Sequence, residues 1–426
     1  MIPIYRYGET PESVIFARNS GAVDVSAAVA EIVARVAEEG DKALLDYARQ
    51  FDHAELTSLE VTREELEAAK AQVEPEFLQT LEEAAEHIRE FHEKQRRAGF
   101  ILTRSPGMVM GQRVIPMDRV GVYVPGGTAA YPSTVLMDTI PAKLAGCPEI
   151  IMVSPPTRGG AIAPAILAAA AIAGVDRVFK VGGAQAVAAL AYGTESIPKA
   201  DKIVGPGNAY VAEAKRQVYG RVAIDMIAGP SEVLIVADGR SDARYVSADL
   251  LAQAEHDKLA TSILITDSPA LAEAVAEELE RQLARLPRQE IARASIEGCG
   301  RIILVKDIPE AMELANRFAP EHLELCLDEP FAWLDRVRHA GSVFLGRSCP
   351  EALGDYFAGP NHTLPTMGTA RFSSPLGVDD FVKKTQFLYY TEEALRGAGE
   401  SVARFARKEG LEAHARSVTL RTEGEG

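Results

Sequence analysis

Three short segments of the sequence combine residue types and spacings that could support chemistry. Each pairs a histidine with a side chain that carries an oxygen atom. In chain order, the pairs are Gln253 with His256, Glu321 with His322, and Asp355 with His362. Imidazole and carboxylate groups serve as general acids, general bases and metal ligands, so these segments are candidates for an acid–base or metal site.

The first pair lies in the segment QAEH, on a helix that is expected to follow the strand EVLIVAD. Residues three apart share a helical face, so Gln253 and His256 can point towards one centre. An imidazole nitrogen and an amide oxygen are both possible metal ligands. A structural histidine remains the alternative for this spacing taken alone.

The second pair, Glu321 and His322 in NRFAPEH, stands where a helix is expected to end and a strand to begin. An adjacent carboxylate and imidazole can form an acid–base pair, although an ordinary loop pair fits the same residues. Asp355 and His362 lie on a loop rich in glycine and proline that is too long and polar for a simple strand connection. His414 lies on a helical pattern with no apolar reason to be there. The other histidines are expected to be solvated: His53, His87, His92 and His339.

Three glycine-containing loops follow predicted strands and could bind phosphate groups. They are Pro125-Gly126-Gly127, Gly182-Gly183-Ala184-Gln185 and Gly205-Pro206-Gly207-Asn208. Ligands of open α/β sheets bind at the carboxyl ends of strands, where backbone N–H groups and helix N-termini can meet a phosphate. None of the loops is a complete GxGxxG, because Tyr210 stands at the third glycine position of the nearest match and no clear ribose-binding acid follows at the usual distance. Tight turns without a ligand remain the alternative.

The elements that would position these residues alternate between strands and helices. From Val120 onwards, short apolar runs are each followed by a helical segment; the runs are VGVYV, EIIMV, RVFKV, KIVGPG and VAIDMI, then EVLIVAD, SILITD, RIILVKD, LELCL and GSVFLG. Such alternation predicts parallel sheets with helices on their faces. We therefore expect an α/β protein with two Rossmann-like doubly wound units and helical N-terminal and C-terminal extensions.

The length of 426 residues suggests two or three domains at roughly 150 residues per domain. We expect an N-terminal arm over 1–25, a first α/β unit over 26–119 and 230–372, an inserted second α/β unit over 120–229, and a helical tail over 373–426. The pattern Thr62-Arg63-Glu64-Glu65 predicts a capping box, and Pro75 predicts a break between two helices. The tail contains the aromatic segment QFLYY.

The composition excludes several classes of protein. Lys and Arg number 45 against 61 Asp and Glu, a formal net charge of −16, which argues against nucleic-acid binding. The four cysteines form no CxxC pair and fit a reducing cytoplasm, and no catalytic thiol is expected. The N-terminus lacks the pattern of a secretory signal. The longest apolar run, 15 residues from Ala161 to Val175, is shorter than the about 20 that span a membrane and predicts a buried helix.

Long segments of the sequence resemble the histidinol dehydrogenase family. They are GPGNAYVAEAKRQV, IAGPSEVLIVAD, QAEH, NRFAPEHLEL, AGSVFLG, GDYFAGPNHTLPTMGTARFSSPLGVDDFVKK and EGLEAHARSV, and the likeness runs from about Asp24 to Leu420. The resemblance implies oxidation of L-histidinol to L-histidine through the aldehyde, with reduction of two NAD, in the last steps of histidine biosynthesis. It also implies one zinc ion per subunit.

The resemblance also implies a role for particular residues. The zinc ligands would be Gln253, His256, Asp355 and His414, and the acid–base pair would be Glu321 and His322. The substrate would further meet Ser231, His362 and Glu409, and NAD would meet Tyr123, Gln185 and Asn208. Members of the family are homodimers, so the tail carrying Glu409 and His414 is expected to complete the site of the partner subunit.

Three alternatives stay open on the sequence. A sister dehydrogenase of the same fold could oxidise another small amino or sulfonated alcohol. A zinc hydrolase could use the Glu321–His322 pair with a metal-bound water, although it would leave the three glycine loops unexplained. A non-catalytic binding protein with two α/β lobes would normally carry a signal peptide.

Overall fold

The computed structural model describes residues 1–18, 24–126 and 130–422. Gly127, the last residue of the first predicted glycine loop, lies outside these residues. The chain divides into two compact units: a larger one over Met1–Gln95 and Met117–Phe381, and a smaller one over Arg96–Pro116 and Val382–Gly426.

The strands of the described residues are, in chain order, β1 (Ile4–Arg6), β2 (Phe100–Ser105), β3 (Met108–Pro116), β4 (Arg119–Tyr123), β5 (Glu149–Ser154), β6 (Arg177–Lys180), β7 (Lys202–Val204), β8 (Ala223–Ile224), β9 (Glu232–Ala237), β10 (Thr261–Thr266), β11 (Arg301–Leu304), β12 (His322–Cys326), β13 (Ser342–Leu345) and β14 (Val382–Tyr390).

The α-helices of the described residues are α1 (Glu12–Ile15), α2 (Ser26–Glu39), α3 (Asp41–Tyr47), α4 (Arg63–Lys70), α5 (Pro75–Glu93), α6 (Pro132–Ala145), α7 (Pro164–Ala173), α8 (Gly183–Tyr192), α9 (Ala209–Val218), α10 (Ala243–Ala254), α11 (Pro269–Leu283), α12 (Gln289–Gly298), α13 (Ile308–Phe318), α14 (Phe331–Leu334), α15 (Glu351–Tyr356), α16 (Glu392–Lys408) and α17 (Glu412–Thr422). A π-helical turn covers Ala48–Asp52, and short 3-10 turns cover Thr369–Arg371 and Val378–Phe381.

The larger unit contains two parallel sheets that share one strand order. The first runs β6-β5-β4-β7-β8, and the second runs β1-β11-β10-β9-β12-β13. Numbered along the chain, and with β1 at the edge of the second sheet left out, both read 3-2-1-4-5, which is the order of the first five strands of dinucleotide-binding doubly wound folds. The second sheet gains β1, which pairs in parallel with β11. The predicted α/β architecture with parallel sheets is confirmed.

Local sequence signals explain where several elements begin. The predicted capping box is present, since Thr62 and Glu65 each accept a hydrogen bond from the other's backbone N–H. Pro75 occupies the first turn of α5, where proline costs no hydrogen bond. Strands β9 and β10 are buried along their whole length, as expected for parallel strands covered on both faces.

The predicted apolar run forms the buried helix α7, which packs with α6 and α5 over the first sheet. Helix α2 packs with α8 and α9 in a second apolar cluster that also includes β-strand residues such as Phe179 and Ile203. Separate clusters cover the two faces of the second sheet. Among the described residues, no helix is long and apolar enough to cross a membrane.

The smaller unit contains an antiparallel sheet and a helical hairpin. Its sheet has the order β14-β3-β2, and α16 packs against α17. The segment QFLYY, expected to be helical, lies in β14, where it pairs with β3. Phe387, Tyr389 and Tyr390 are of residue types enriched in strands, and pairing with β3 satisfies the backbone of the segment.

A buried ion pair fixes the loop after β7. Lys215 on α9 and Asp225 form an ion pair in which both side chains are almost completely buried. Lys215 also donates to the carbonyl of Gly205 at 2.9 Å, and Asp225 accepts from the Gly205 N–H at 2.8 Å. Gly205 has φ +114°, and a Cβ there would lie 2.0 Å from the carbonyl oxygen of Tyr123, so only glycine fits.

Replacement of Lys215 by methionine tests this ion pair. The change leaves the Asp225 carboxylate buried without its cation, so we expect the free energy of unfolding to fall by about 3 kcal/mol. Urea titration followed by circular dichroism measures the effect. Lys42→Met, which removes an exposed lysine near Glu39, is the control and should change stability by about 0.5 kcal/mol or less. Equal effects of the two variants would contradict the role given to Lys215.

Candidate functional site

A cavity of ≈ 1030 Å³ opens at the carboxyl edge of the first sheet. The residues after β4, β5, β6 and β7 line it, including Gly126, Gly183 and the three positions predicted to meet a cofactor, Tyr123, Gln185 and Asn208. Dinucleotide-binding sheets place their ligand at this edge. The structure therefore brings together the three cofactor-contact candidates, which are far apart in sequence.

Two helix N-termini point their backbone groups towards this edge. The Gly183 N–H at the start of α8 donates to the hydroxyl of Tyr123 at 3.2 Å. The Asn208 side chain caps α9 by accepting from the N–H groups of Tyr210 and Val211. Gln185 is buried in the first turn of α8. Such N-termini favour anionic groups, as a dinucleotide carries.

The Glu321–His322 pair lies at the amino edge of the second sheet, whereas the cavity opens at the carboxyl edge of the first sheet. β12 starts at His322 and pairs in parallel with β9, and the backbone of Glu232 at the start of β9 holds both members of the pair. The Glu232 N–H donates to Glu321 Oε2 at 2.8 Å, and its carbonyl oxygen lies 3.0 Å from His322 Nδ1. Because a carbonyl can only accept, Nδ1 carries a proton in either charge state, and Nε2 is the ring nitrogen that can exchange one.

A turn with a left-handed residue delivers this pair to the edge of the sheet. Helix α13 ends at Phe318, and Ala319 adopts φ +48°, which is uncommon for a residue with a Cβ. Pro320 follows and cannot continue a helix, so Glu321 and His322 enter β12 directly. The boundary between helix and strand predicted for this segment is confirmed.

Burial sets the protonation of the pair. Burial raises the pKa of Glu321 to about 7, although the neighbouring His322 acts in the opposite direction. Burial alone would lower the pKa of His322, but the carboxylates of Glu351, Glu321 and Asp355 raise it well above its usual value. A carboxyl group with a pKa near neutrality can both take up and release a proton, as a general acid–base requires.

Two carboxyl groups converge on His322 of this pair. His322, Glu351 and Asp355 offer ligand atoms that all lie within 4.8 Å of one another. His322 Nε2 is 3.5 Å from Asp355 Oδ1, and His322 Nδ1 is 3.8 Å from Glu351 Oε1. Glu351 and Asp355 are four residues apart on α15, which places both carboxylates on one helical face. This cluster could hold a divalent cation.

Gln253 near the end of α10 and His256, which lies two residues beyond the helix rather than on it as predicted, face the same region, and α10 packs against α15. The Gln253 side chain is completely buried, yet neither atom of its amide has a hydrogen-bond partner in the described residues. Such an unpaired buried amide is costly and is found where a ligand belongs. His256 is more exposed than Gln253. Desolvation by the surrounding protein lowers the pKa of His256, and the negative charge of Asp355 opposes that shift.

His362 joins the cluster from the following loop. Its Nδ1 lies 3.0 Å from the carbonyl oxygen of Asp355, and its Nε2 lies 3.3 Å from the hydroxyl of Thr134 on α6. The next residue, Thr363, donates to Asp138 Oδ1 of the same helix at 2.7 Å. Helix α6, which follows the first glycine loop, therefore positions the loop that carries His362.

Comparisons with known proteins give the family of this chain. The family model described as histidinol dehydrogenase matches residues 17–422. A histidinol dehydrogenase of Bacillus cereus is 58% identical over 397 residues, which are 93% of this chain and 92% of that protein. The chain belongs to the histidinol dehydrogenase family.

Further relatives agree with this family. A histidinol dehydrogenase of Halalkalibacterium halodurans is 54% identical over 398 residues, covering 93% of this chain and 94% of that protein. The crystal structure of histidinol dehydrogenase from Elizabethkingia anophelis has a TM-score of 0.93 at 39% identity and covers 99% of this chain and 98% of that one. The resemblance to histidinol dehydrogenases seen in the sequence is confirmed.

The residues predicted from the family resemblance fall into three groups. The first, at the amino edge of the second sheet and on the elements packed there, comprises Ser231, Gln253, His256, Glu321, His322, Asp355 and His362. The second lines the cavity of the first sheet. The third, Glu409 at the end of α16 and His414 on α17, belongs to the smaller unit, where both side chains are exposed.

The sequence analysis missed several residues of the site. Glu351 shares a helical face with Asp355, and the spacing of four was a usable signal. Glu232 acts mainly through its backbone, which no side-chain pattern reveals. Among the histidines expected to be solvated, His92 is completely buried and lies 2.8 Å from Gln95 Oε1, whereas His53 is exposed and lines the cavity of the first sheet.

Asp138 allows a test of the contact between α6 and the loop that carries His362. Burial raises its pKa to about 8, so the folded protein keeps this carboxyl protonated where the unfolded chain ionises it, and stability falls as pH rises from about 4 to 8. Asp138→Asn keeps the acceptor for Thr363 and removes the ionisation. We expect it to be more stable than the wild type at pH 8 by about 2 to 4 kcal/mol and nearly equal at pH 4.

Urea titrations at the two pH values measure this difference. Asp335→Asn, at an exposed position, is the control and should follow the wild type at both. A parallel pH dependence of Asp138→Asn and the wild type would show that Asp138 is not the group responsible.

Proposed function

We propose that this protein is a zinc-dependent histidinol dehydrogenase that oxidises L-histidinol to L-histidine through L-histidinaldehyde with two NAD. The observation that carries the proposal is the buried Glu321–His322 pair, held by the backbone of Glu232 and placed beside Asp355. An imidazole with one nitrogen available to exchange a proton and an adjacent carboxyl group with a pKa near neutrality suit two successive oxidations with a hydration between them.

The donor set fits a zinc ion. Gln253, His256 and Asp355 would hold it, with His414 contributed by the smaller unit of a second subunit. The unpaired amide of Gln253 supports this assignment, because a metal would satisfy its oxygen. Zinc, when bound, would supply a positive centre that orients the substrate's imidazole and amino nitrogens. His322 and Glu351 also lie within reach of such an ion, so the role of His322 needs its own test.

The cavity of the first sheet fits NAD. Its volume of ≈ 1030 Å³ and its place at the carboxyl edge of a 3-2-1-4-5 sheet support a dinucleotide, with Tyr123, Gln185 and Asn208 as contacts. NAD, when bound, would accept hydride from the carbinol carbon. The glycine loops and the N-termini of α8 and α9 would meet its phosphates.

The chain's own residues account for the proton transfers. His322 Nε2 takes the hydroxyl proton in the first oxidation, since Nδ1 is committed to the Glu232 carbonyl. Glu321 then removes a proton from the water that attacks the aldehyde, which its pKa of about 7 allows. His322 takes the proton of the resulting gem-diol in the second oxidation, after it has released the first.

The substrate class follows from the charge of this region. Histidinol carries an amine and an imidazole, and the carboxylate of Asp355, whose pKa is lowered by its histidine neighbours, favours a cation. Ser231 and His362 border the same region and would contact the substrate, and Glu409 of a second subunit would add a further carboxylate. The net charge of −16 agrees with a cationic substrate, although it does not identify one.

The smaller unit supports a homodimer. It exposes large apolar side chains on its sheet and on α16, which are Phe100, Ile101, Leu102, Leu388, Tyr389 and Phe405. Exposed apolar surface of this extent marks an interaction site. We propose that a second copy covers it and that Glu409 and His414 complete the partner's site. The four free cysteines agree with a cytoplasmic location.

An assay with L-histidinol and NAD tests the proposed reaction. We expect two NADH for each histidinol and loss of activity by about tenfold or more on removal of the metal with a chelator, because positioning of the substrate is lost. Absorbance of NADH measures both. One NADH with release of the aldehyde would contradict the four-electron reaction, and turnover without NADH would favour a hydrolase.

Variants of the acid–base pair test the roles of its members. His322→Asn and Glu321→Gln should each lower kcat by about 10² to 10⁴ and leave the zinc content nearly unchanged. Steady-state kinetics and metal analysis of the purified proteins measure both quantities. Glu273→Gln, at an exposed position of α11, is the control. Loss of zinc from His322→Asn would show that His322 is a ligand.

A further inference from the structure

One wall of the cavity comes from outside the first sheet. The segment Phe51-Asp52-His53 lines it, although it stands some distance before β4 in the chain. A π-helical turn over Ala48–Asp52 and a left-handed His53, with φ +54°, shape this segment. Both features are uncommon, and they concentrate at functional sites because they must be held by the surrounding structure.

Asp52 is the only acidic residue among the described residues that line the cavity. Its side chain is half-buried, and its Oδ2 has no hydrogen-bond partner in the described part of the chain. Burial raises its pKa to about 6, so the carboxyl group is still mostly ionised at pH 7.5. Burial and, to a smaller degree, the charge of Asp52 raise the pKa of Tyr123 to about 12. The effect of this charge indicates that the two side chains lie near each other.

In dinucleotide-binding folds the acid that binds the ribose hydroxyls follows the second strand of the sheet, whereas Asp52 precedes the first strand, β4. Here the second strand is β5, and the residues after it, Pro155 to Arg158, include no acid. The segment after Asp52 packs on this loop: a Cβ on Gly160 would lie 3.2 Å from Leu56 and 3.9 Å from the carbonyl oxygen of Glu55.

We propose that Asp52 binds the adenosine ribose hydroxyls of the dinucleotide and makes the cavity selective for NAD over NADP. The inference rests on the dehydrogenase function proposed above. A carboxylate accepts hydrogen bonds from two neighbouring hydroxyl groups, and it repels a 2′-phosphate, which carries the same sign of charge. The acid missing from the sequence pattern is thus supplied by a segment outside the sheet.

Arg158 is the lining residue that would favour NADP over NAD. It is exposed on the loop after β5, and it is the only arginine or lysine among the described lining residues of the cavity. An arginine near this place accommodates the 2′-phosphate in NADP enzymes. If Arg158 governed the choice, the protein would prefer NADP, whereas an ionised Asp52 beside the ribose predicts the opposite preference.

Binding of NADH and NADPH to the intact protein without substrate tests the proposal. Fluorescence titration should show that the wild type binds NADH at least about thirtyfold more tightly than NADPH. Asp52→Asn should bind NADPH about tenfold more tightly than the wild type and NADH more weakly, because repulsion and a charged acceptor are both lost. The ratio of the two affinities should therefore fall by at least about tenfold.

The control removes an exposed carboxylate of the same segment that does not line the cavity. Glu55→Gln should keep the wild-type ratio. Asp52→Ser serves as the second variant if circular dichroism shows that Asp52→Asn does not fold.

Each result separates this inference from the proposed function. A wild type that binds neither nucleotide would overturn the use of NAD itself. Binding of NADH with an unchanged ratio in the Asp52 variants, or equal binding of both nucleotides by the wild type, would overturn the role of Asp52 and leave the dehydrogenase function standing.

Discussion

The parallel pairing of β9 with β12 is the constraint on which the proposed acid–base site depends. This pairing brings both backbone groups of Glu232 against the carboxylate of Glu321 and the imidazole of His322. The two bonds fix the tautomer of the imidazole and the direction of the carboxylate together. Because side chains alternate along a strand, a shift of one residue in this register would turn His322 away from Asp355.

The two sheets share a strand order but use opposite edges. The first sheet opens its cavity at the carboxyl edge, as the rule for doubly wound sheets predicts. The second gathers its reactive groups at the amino edge, where α10 ends and where β9 and β12 begin. Helix α6 connects the two regions, since it follows a glycine loop of the first sheet and hydrogen-bonds His362 and Thr363.

Burial of ionisable groups distinguishes this region from the rest of the fold. Glu321, Glu351 and Glu232 all have raised pKa values because little water reaches them. Arg18 offsets part of the cost at Glu232 through an ion pair at 3.1 Å. The amide of Gln253 and the Nε2 of His322 remain without partners in the described residues, as expected where a ligand completes the set.

The sequence by itself determined the family, the order of strands and helices from Val120 to Leu345, and the reactive pairs, because these depend on local composition and on long strings of residues. It could not predict β1 or the strand containing QFLYY, since each depends on a partner strand far away in the chain. Only the tertiary structure showed that the backbone of Glu232 contacts both Glu321 and His322 and that Asp52 lines the cavity. Such roles depend on atoms brought together by folding, and no spacing along the chain records them.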